Sequence, residues 1–312
     1  MNMKPRILTV GSANMDIVFS MPRIPNKGES LIAEHYGYIP GGKGANAAIA
    51  AARLGADVVF CARLGNDEHG SNLIEAYKRE KIDPRFIKMD KNAPTGLAAI
   101  FLEDDGSNRI VVYPGANLNL KPDDVESAFL SYPDAVLLNF EADPHTIAAA
   151  TEFAERQQIP VIIDAGPVRK DFPYELLKEI EIVSPNEVET AQITGIAPVN
   201  AEECTKACMR LMNILKAKNV VLKLSDRGSF LFDGQFSNYI PAHSVSAVDT
   251  TAAGDAFTAA LGIEYLRSKD LLRACKYANV VGALTVTKYG ASVSLPAAKD
   301  VYNFITDREI IL

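Results

Sequence analysis

Asp249-Thr250-Thr251-Ala252-Ala253-Gly254-Asp255, which runs straight into Ala256-Phe257-Thr258-Ala259-Ala260-Leu261, reads as a strand-to-helix connection with an anion site at its centre. Small residues at 252–254 let backbone N–H groups turn inward at a helix N-terminus, where unsatisfied donors and the positive end of the dipole favour an anion. A phosphate fits there. A fixed carboxylate at the mouth of such a site repels phosphate, so Asp255 makes sense as a base for a hydroxyl that attacks the phosphate. The plainer alternative is a first-turn acid favoured by the dipole, beside small residues that only permit close packing.

Outward from this stretch, short β-branched runs alternate with helical ones. Residues 7–10, 58–64, 136–138, 161–163, 181–183 and 220–222 read as strands, the fourth ending in Asp164. Helices are expected from the Gly41-Gly42-Lys43-Gly44 run to Leu54, stopping at Gly55, and over 71–81, with Leu73, Ile74 and Tyr77 on one face. More are expected over 147–157, in a long segment through Leu211 and Leu215, over 256–267 and 271–286, and after Pro296. This is the pattern of an α/β fold: a central, mostly parallel sheet with helices on both faces. Residues 95–102 and 109–113, around the Asp105-Gly106 turn, form a hairpin that interrupts the alternation. Together with residues 15–39, in which 31–39 reads as an exposed strand, it predicts a small sheet outside the main layer. Phe230-Leu231-Phe232 and Tyr239-Ile240 around Asp233-Gly234 form a second hairpin. The whole is expected to be one domain, 1–312, with a discontinuous β lid at about 15–39 and 95–113.

The chain has 312 residues and a net charge of -7, with 32 Lys and Arg against 39 Asp and Glu. No basic run appears, so neither nucleic acid nor a membrane is an expected partner, and a small molecule is. The start, Met1-Asn2-Met3-Lys4-Pro5-Arg6 and then Ile7 to Val10, is too short for a signal sequence, and a cytoplasmic protein is expected. Cys61, Cys204, Cys208 and Cys275 are scattered; Cys204 and Cys208 lack companion ligands and read as buried packing.

Polar residues collect where the apolar runs end, the edge that carries ligands in open parallel sheets. Asn14 and Asp16 follow the first strand, either as a turn pair or as ligands. Gly37 to Gly44 is a Walker A pattern without its Ser or Thr, and Gly42 to Ala47 is a G-x-G-x-x-A pattern without a buried strand ahead of it; neither motif is adopted. Glu141 lies past 136–138, as a solvated acid or a ligand. Asn186-Glu187-Val188-Glu189 is a capping box. Asp249 reads as a capping or turn residue, or as the partner of a cation.

The heptapeptide resembles the C-terminal signature of the ribokinase-like (pfkB) carbohydrate kinases, and Gly41-Gly42-Lys43-Gly44-Ala45-Asn46 resembles their N-terminal one. The likeness extends through residues 10–16 and Pro114-Gly115-Ala116-Asn117, although Ala47 stands where many members carry Gln. It implies ATP-dependent phosphorylation of a sugar hydroxyl, ribose first, with fructose, deoxyribose or a nucleoside as alternatives, and a sugar sensor without turnover as a more distant one. It also implies a base at Asp255 and an anion hole at Ala252, Ala253 and Gly254. Sugar contacts would come from Asn14, Asp16, Gly42, Lys43, Asn46, Glu141 and Asp255. Nucleotide contacts would come from Asn186, Glu189, Lys223, Ser225, Gly228, Gly254 and Asn279, with Mg²⁺ at the phosphates. A K⁺ activator is implied at Asp249, Thr251, Thr285, Lys288, Gly290 and Ser294, and a homodimer through the lid sheets. Lys223 and Ser225 depart from the Thr and Gly common among the ribose-specific members; Lys223 is more like the fructose-specific branch.

Overall fold

Ile7 and Leu8 are neighbours in the chain yet belong to different cores, because successive side chains of a strand point to opposite faces. Both lie on β1 (Arg6–Val10) in a computed structural model that describes residues 4–104, 107–169 and 171–312. The opening residues 1–3 and the Asp105-Gly106 turn of the first hairpin lie outside the described residues.

Beside β1 run β4 (Asp57–Gly65) and β5 (Ile87–Asp90) on one side, and β8 (Ala135–Asn139), β9 (Val161–Asp164), β10 (Ile180–Ser184) and β11 (Ala217–Lys223) on the other, all parallel. β12 (Ser229–Phe232) and β13 (Ser237–Ile240), the second hairpin, continue this nine-stranded sheet antiparallel. The strands between the edges are apolar on both faces, as a sheet covered on both sides requires. On one face Ile7, Leu137, Ile162 and Val221 pack under α1 (Lys43–Arg53), α7 (Ala253–Ser268) and α8 (Leu271–Thr285). On the other, Leu8, Val136, Ile163 and Val220 pack under α3 (Pro122–Ala128), α4 (Pro144–Arg156) and α6 (Ala201–Leu215). α7 is buried nearly all round, and Gly262 brings it close to the sheet: a Cβ there would meet Leu137 at 3.2 Å.

A separate four-stranded sheet has the order β3 (His35–Gly41), β2 (Asn14–Met21), β6 (Gly96–Glu103), β7 (Asn108–Tyr113). The expected exposed strand therefore starts at His35, not at 31. Two further boundaries differ. α2 (Glu68–Arg79) begins three residues early because Asp67 caps it through the Gly70 N–H at 2.8 Å. The long segment before β11 is two helices, α5 (Glu187–Thr194) and α6, because Gly195 turns left-handed with φ 74. The short α9 (Ala291–Ser294) and then α10 (Ala298–Asp307) close the chain.

The sheet order turns back on itself between β1 and β8, which opens a crevice at their C-terminal ends. α1 starts in that crevice, and Gly44 lets it approach the loop after β1: a Cβ there would stand 2.7 Å from the Gly11 carbonyl carbon and from the Ser12 oxygen. Gly44→Ala is expected to lower stability by about 1–3 kcal/mol in urea unfolding, the usual cost of overpacking. Gly37→Ala, with nothing within 4 Å, is the control and is expected to change it little. Equal effects of the two would contradict this packing.

Candidate active site

The N-terminus of α1 has no side-chain cap of its own, since Gly42 (φ 88) stands at its start. Glu141, from the loop after β8, serves instead: its Oε2 accepts the Lys43 N–H at 3.1 Å and the Ser12 hydroxyl. Burial raises the Glu141 carboxyl, a shift that Lys43 opposes. Glu141 is thus not the freely solvated acid that its position after a strand also allowed.

Asn14 and Asp16 open β2 and are not a turn pair. Asn14 Oδ1 accepts from Asn117 Nδ2 at 2.7 Å, and Asn117 Oδ1 accepts the Ala13 N–H at 2.9 Å. Asp16 is buried against Gly41, where a Cβ would lie 1.9 Å from Asp16 Oδ2, so only glycine leaves room. Its Oδ1 is buried without a hydrogen-bond partner. Burial, then the neighbouring Glu141 and Asp255, push this carboxyl from 3.8 up to about 7.

Asp255, in the first turn of α7, joins these residues to α1. Lys43 Nζ donates to its Oδ1 at 3.2 Å and Asn46 Nδ2 to its Oδ2 at 2.9 Å. Burial raises its carboxyl while the Lys43 ammonium opposes the rise. Burial alone would lower Lys43, but Asp164, Asp255, Glu141 and Glu189 around it hold the ammonium well above its ordinary value. A dipole-favoured surface acid would have neither this burial nor these partners.

On the far side of Lys43 and Asp255 opens a cleft of about 770 Å³. It is lined by Ala252, Ala253 and Gly254 and by all the expected nucleotide residues: Asn186, Glu189, Lys223, Ser225, Gly228 and Asn279. Ala252, at the start of α7, is left-handed with φ 61 and offers no side-chain cap, so the first N–H groups of α7 lack a cap beside the cleft. Asn186 and Glu189 do form the reciprocal capping box, each accepting the other's N–H at 2.8 Å. Glu189 lies against Gly166, where a Cβ would stand 2.1 Å from Glu189 Oε1. Ser225 Oγ donates to Glu187 at 3.1 Å, and Asn279 Nδ2 donates to the Ile240 and Pro241 carbonyls, both at 3.1 Å. Ser225 and Asn279 therefore also brace the cleft walls. Gly228 (φ 100) lies so near Ile240 O that a Cβ would come within 2.1 Å.

Asp164 belongs to this site although sequence reasoning named it only as the end of a strand. It pairs with Lys223 Nζ at 3.0 Å. The signal was available: a charged residue closing Val161-Ile162-Ile163 at the ligand edge. Ser12 was missed because a serine after a strand is ordinary in any loop.

Of the expected cation residues, Thr251 and Gly290 meet Asp249, whose own N–H donates to Val286 O at 3.2 Å beside the cleft wall. Asp249 Oδ1 accepts the Thr251 N–H at 2.9 Å and hydroxyl at 2.6 Å, and Oδ2 accepts the Gly290 N–H at 2.8 Å. Thr285 and Ser294 are buried, their hydroxyls donating to Val281 and Ala291 carbonyls at 2.8 Å each. Lys288 is exposed. The turn role expected of Asp249 is therefore present.

The family model described as pfkB family carbohydrate kinase matches residues 4–298. A ribokinase of Staphylococcus aureus (strain COL) is 34% identical over 303 residues, covering 96% of this chain and 99% of that protein. A ribokinase of Haemophilus influenzae is 32% identical, covering 97% and 99%. The solved structure of Arabidopsis thaliana ribokinase complexed with ribose and ATP superposes with a TM-score of 0.88 at 33% identity, covering 97% of this chain and 99% of that one.

The raised Asp16 carboxyl has a cost in stability with a definite sign. The folded state holds its proton up to about pH 7 and the unfolded state only to 3.8. Its contribution is therefore neutral below that window and becomes unfavourable as pH rises through it, reaching about 4 kcal/mol once both states are ionised. Asp16→Asn is expected to be more stable than the parent by roughly 2–4 kcal/mol at pH 8.5, with the gain vanishing near pH 4, in urea unfolding at both pH values. A gain independent of pH would contradict the assignment.

Proposed function

We propose that this chain, which belongs to the pfkB family of carbohydrate kinases, transfers the terminal phosphoryl group of ATP to a hydroxyl of D-ribose and releases ribose 5-phosphate and ADP. The observation that carries the reading is the position of Asp255, buried at the N-terminus of α7 and held by Lys43 and Asn46 between the Asp16 side and the open cleft. Asp255 takes the proton of the attacking hydroxyl, and its raised carboxyl makes it a stronger base than an exposed aspartate. The N–H groups of residues 252–254 receive the charge that gathers on the transferred phosphoryl group. Asn14, Asp16, Gly42, Lys43, Asn46 and Glu141 orient the sugar. Asp16 suits a vicinal diol because a buried carboxylate oxygen without a partner demands a donor.

Asn186, Glu189, Lys223, Ser225, Gly228 and Asn279 bind the nucleotide along the cleft. Glu189 and Asn186 would hold the waters of a phosphate-bound Mg²⁺, which when bound neutralises phosphate charge; the place of both residues in the cleft lining supports this. The four-stranded sheet acts as a lid on one kinase domain. Exposed Tyr36, Tyr38, Ile110, Val111, Val112 and Tyr113 on β3 and β7 support a homodimer through it. We assign the protein to the cytoplasm, supported by its four free, buried cysteines. Among the described residues no helix is long and apolar enough to cross a membrane.

Asp255→Asn keeps shape and hydrogen bonding but cannot take a proton. It is expected to lower kcat by about 10²-fold or more in an ADP-release assay with ribose, with ATP affinity little changed. Turnover near the parent rate would remove Asp255 from the mechanism. K⁺ at Asp249, Thr251, Thr285, Lys288, Gly290 and Ser294 would fix the loop that carries the anion hole. K⁺ is then expected to raise kcat above the rate in Na⁺ or a bulky organic cation at constant ionic strength, and equal rates would exclude the site.

A further inference from the structure

Asp164 closes β9 with only 4% of its surface exposed, and two lysines bear on it. Lys223, at the end of β11, reaches across β10 to place its Nζ 3.0 Å from Asp164 Oδ2. Burial would raise the Asp164 carboxyl, but Lys223 and then Lys43 reverse that and hold it below the ordinary range. Its location is unusual for a structural ion pair. The position where a Gly254 Cβ would stand is 3.3 Å from Lys223 Nζ and 3.8 Å from Asp164 Oδ2. An ammonium is thereby held against the N-terminus of α7, where the dipole repels it.

Asp164 offsets that repulsion, which gives way to attraction when an anion enters between the ammonium and the helix end. Gly254 immediately precedes Asp255, so the anion at that point is the phosphoryl group next to the base, the terminal one of a triphosphate. The backbone fixes the reach: the Lys223 N–H donates to Pro185 O at 2.8 Å, and Lys223 bridges to Asn186.

We propose that Lys223 contacts the terminal phosphoryl group of the nucleoside triphosphate, and that Asp164 is a positioning residue that aims it there. The inference rests on the kinase reading above and adds to it a built-in preference for triphosphate over diphosphate. Lys223 forms no covalent bond and keeps its protons; the hydroxyl proton goes to Asp255, and the leaving oxygen departs on ADP.

The test compares the parent with Lys223→Met, Lys223→Arg, Asp164→Asn and the Lys223→Met/Asp164→Asn double variant. The measurement is calorimetric binding of β,γ-imido-ATP and of ADP, each with Mg²⁺ and without sugar. Lys223→Met is expected to weaken the ATP analogue by about 10- to 100-fold and ADP by less than about threefold, so the ADP titration also reports that the variant is folded. Lys223→Arg is expected to recover part of the loss. Asp164→Asn should weaken the analogue by about three- to tenfold, and the double variant should be no worse than Lys223→Met, because the two residues act as a unit. In turnover, kcat should fall at least about tenfold while KM for ribose stays within about twofold. Equal losses for both nucleotides, or additive effects in the double variant, would overturn the proposal while a phosphorylating parent leaves the kinase reading standing. A parent that phosphorylates no sugar would overturn both.

Discussion

The contact between Lys43 and Asp255, 3.2 Å apart and 212 residues distant in sequence, is the interaction on which the site depends. A buried carboxylate is costly unless a cation or donors stand beside it, and here both come from one helix, Lys43 and Asn46 of α1. α1 can supply them only because Gly44 lets it sit against the loop after β1, and because Glu141 caps it in place of a residue of its own. The switch in sheet order between β1 and β8 puts Ser12 and Glu141 side by side to do this. The functional geometry is thus a consequence of where the sheet reverses.

The same contact sets the charge balance. Lys43 is surrounded by four carboxylates, Asp164, Asp255, Glu141 and Glu189, and Asp16 lies beyond them with its carboxyl raised to about 7. Among the described residues Lys223 is the only other ammonium paired to this group, which leaves these residues with an excess of acids. In the proposed function such a site favours a sugar whose hydroxyls donate to carboxylates, and the phosphates take the side where α7 begins and Lys223 stands. In the proposed function two substrates of opposite character are separated by Lys43 and Asp255.

Most of this architecture was legible in the sequence because apolar runs of β-branched residues and small-residue helix starts have few other uses. The central sheet and both hairpins were readable from these patterns; the meeting of the heptapeptide with Lys43 and Asn46 was implied only by the resemblance to the pfkB kinases. β5, with four residues, and α3, with seven, were too short to show a period, and Asp67 and Gly195 moved helix boundaries through single contacts and a single φ. Asp164 escaped because the importance of a strand-end aspartate depends on its partner, and Lys223 comes from a strand two places away in the sheet. For Glu141 the sequence left solvation and ligation open; the structure adds a capping role that only the meeting of two loops creates.

The central claim is that one buried aspartate between a sugar side and a phosphate side makes this chain a kinase of ribose. The most direct measurement is ³¹P NMR of the purified protein with Mg-ATP and K⁺, run against ribose, 2-deoxyribose, fructose and a nucleoside in turn. The account predicts a phosphomonoester on the ribose C5 hydroxyl, appearing in step with ADP and faster than with any other acceptor. ATP left intact with every acceptor, or hydrolysed to free phosphate without a sugar ester, would contradict it.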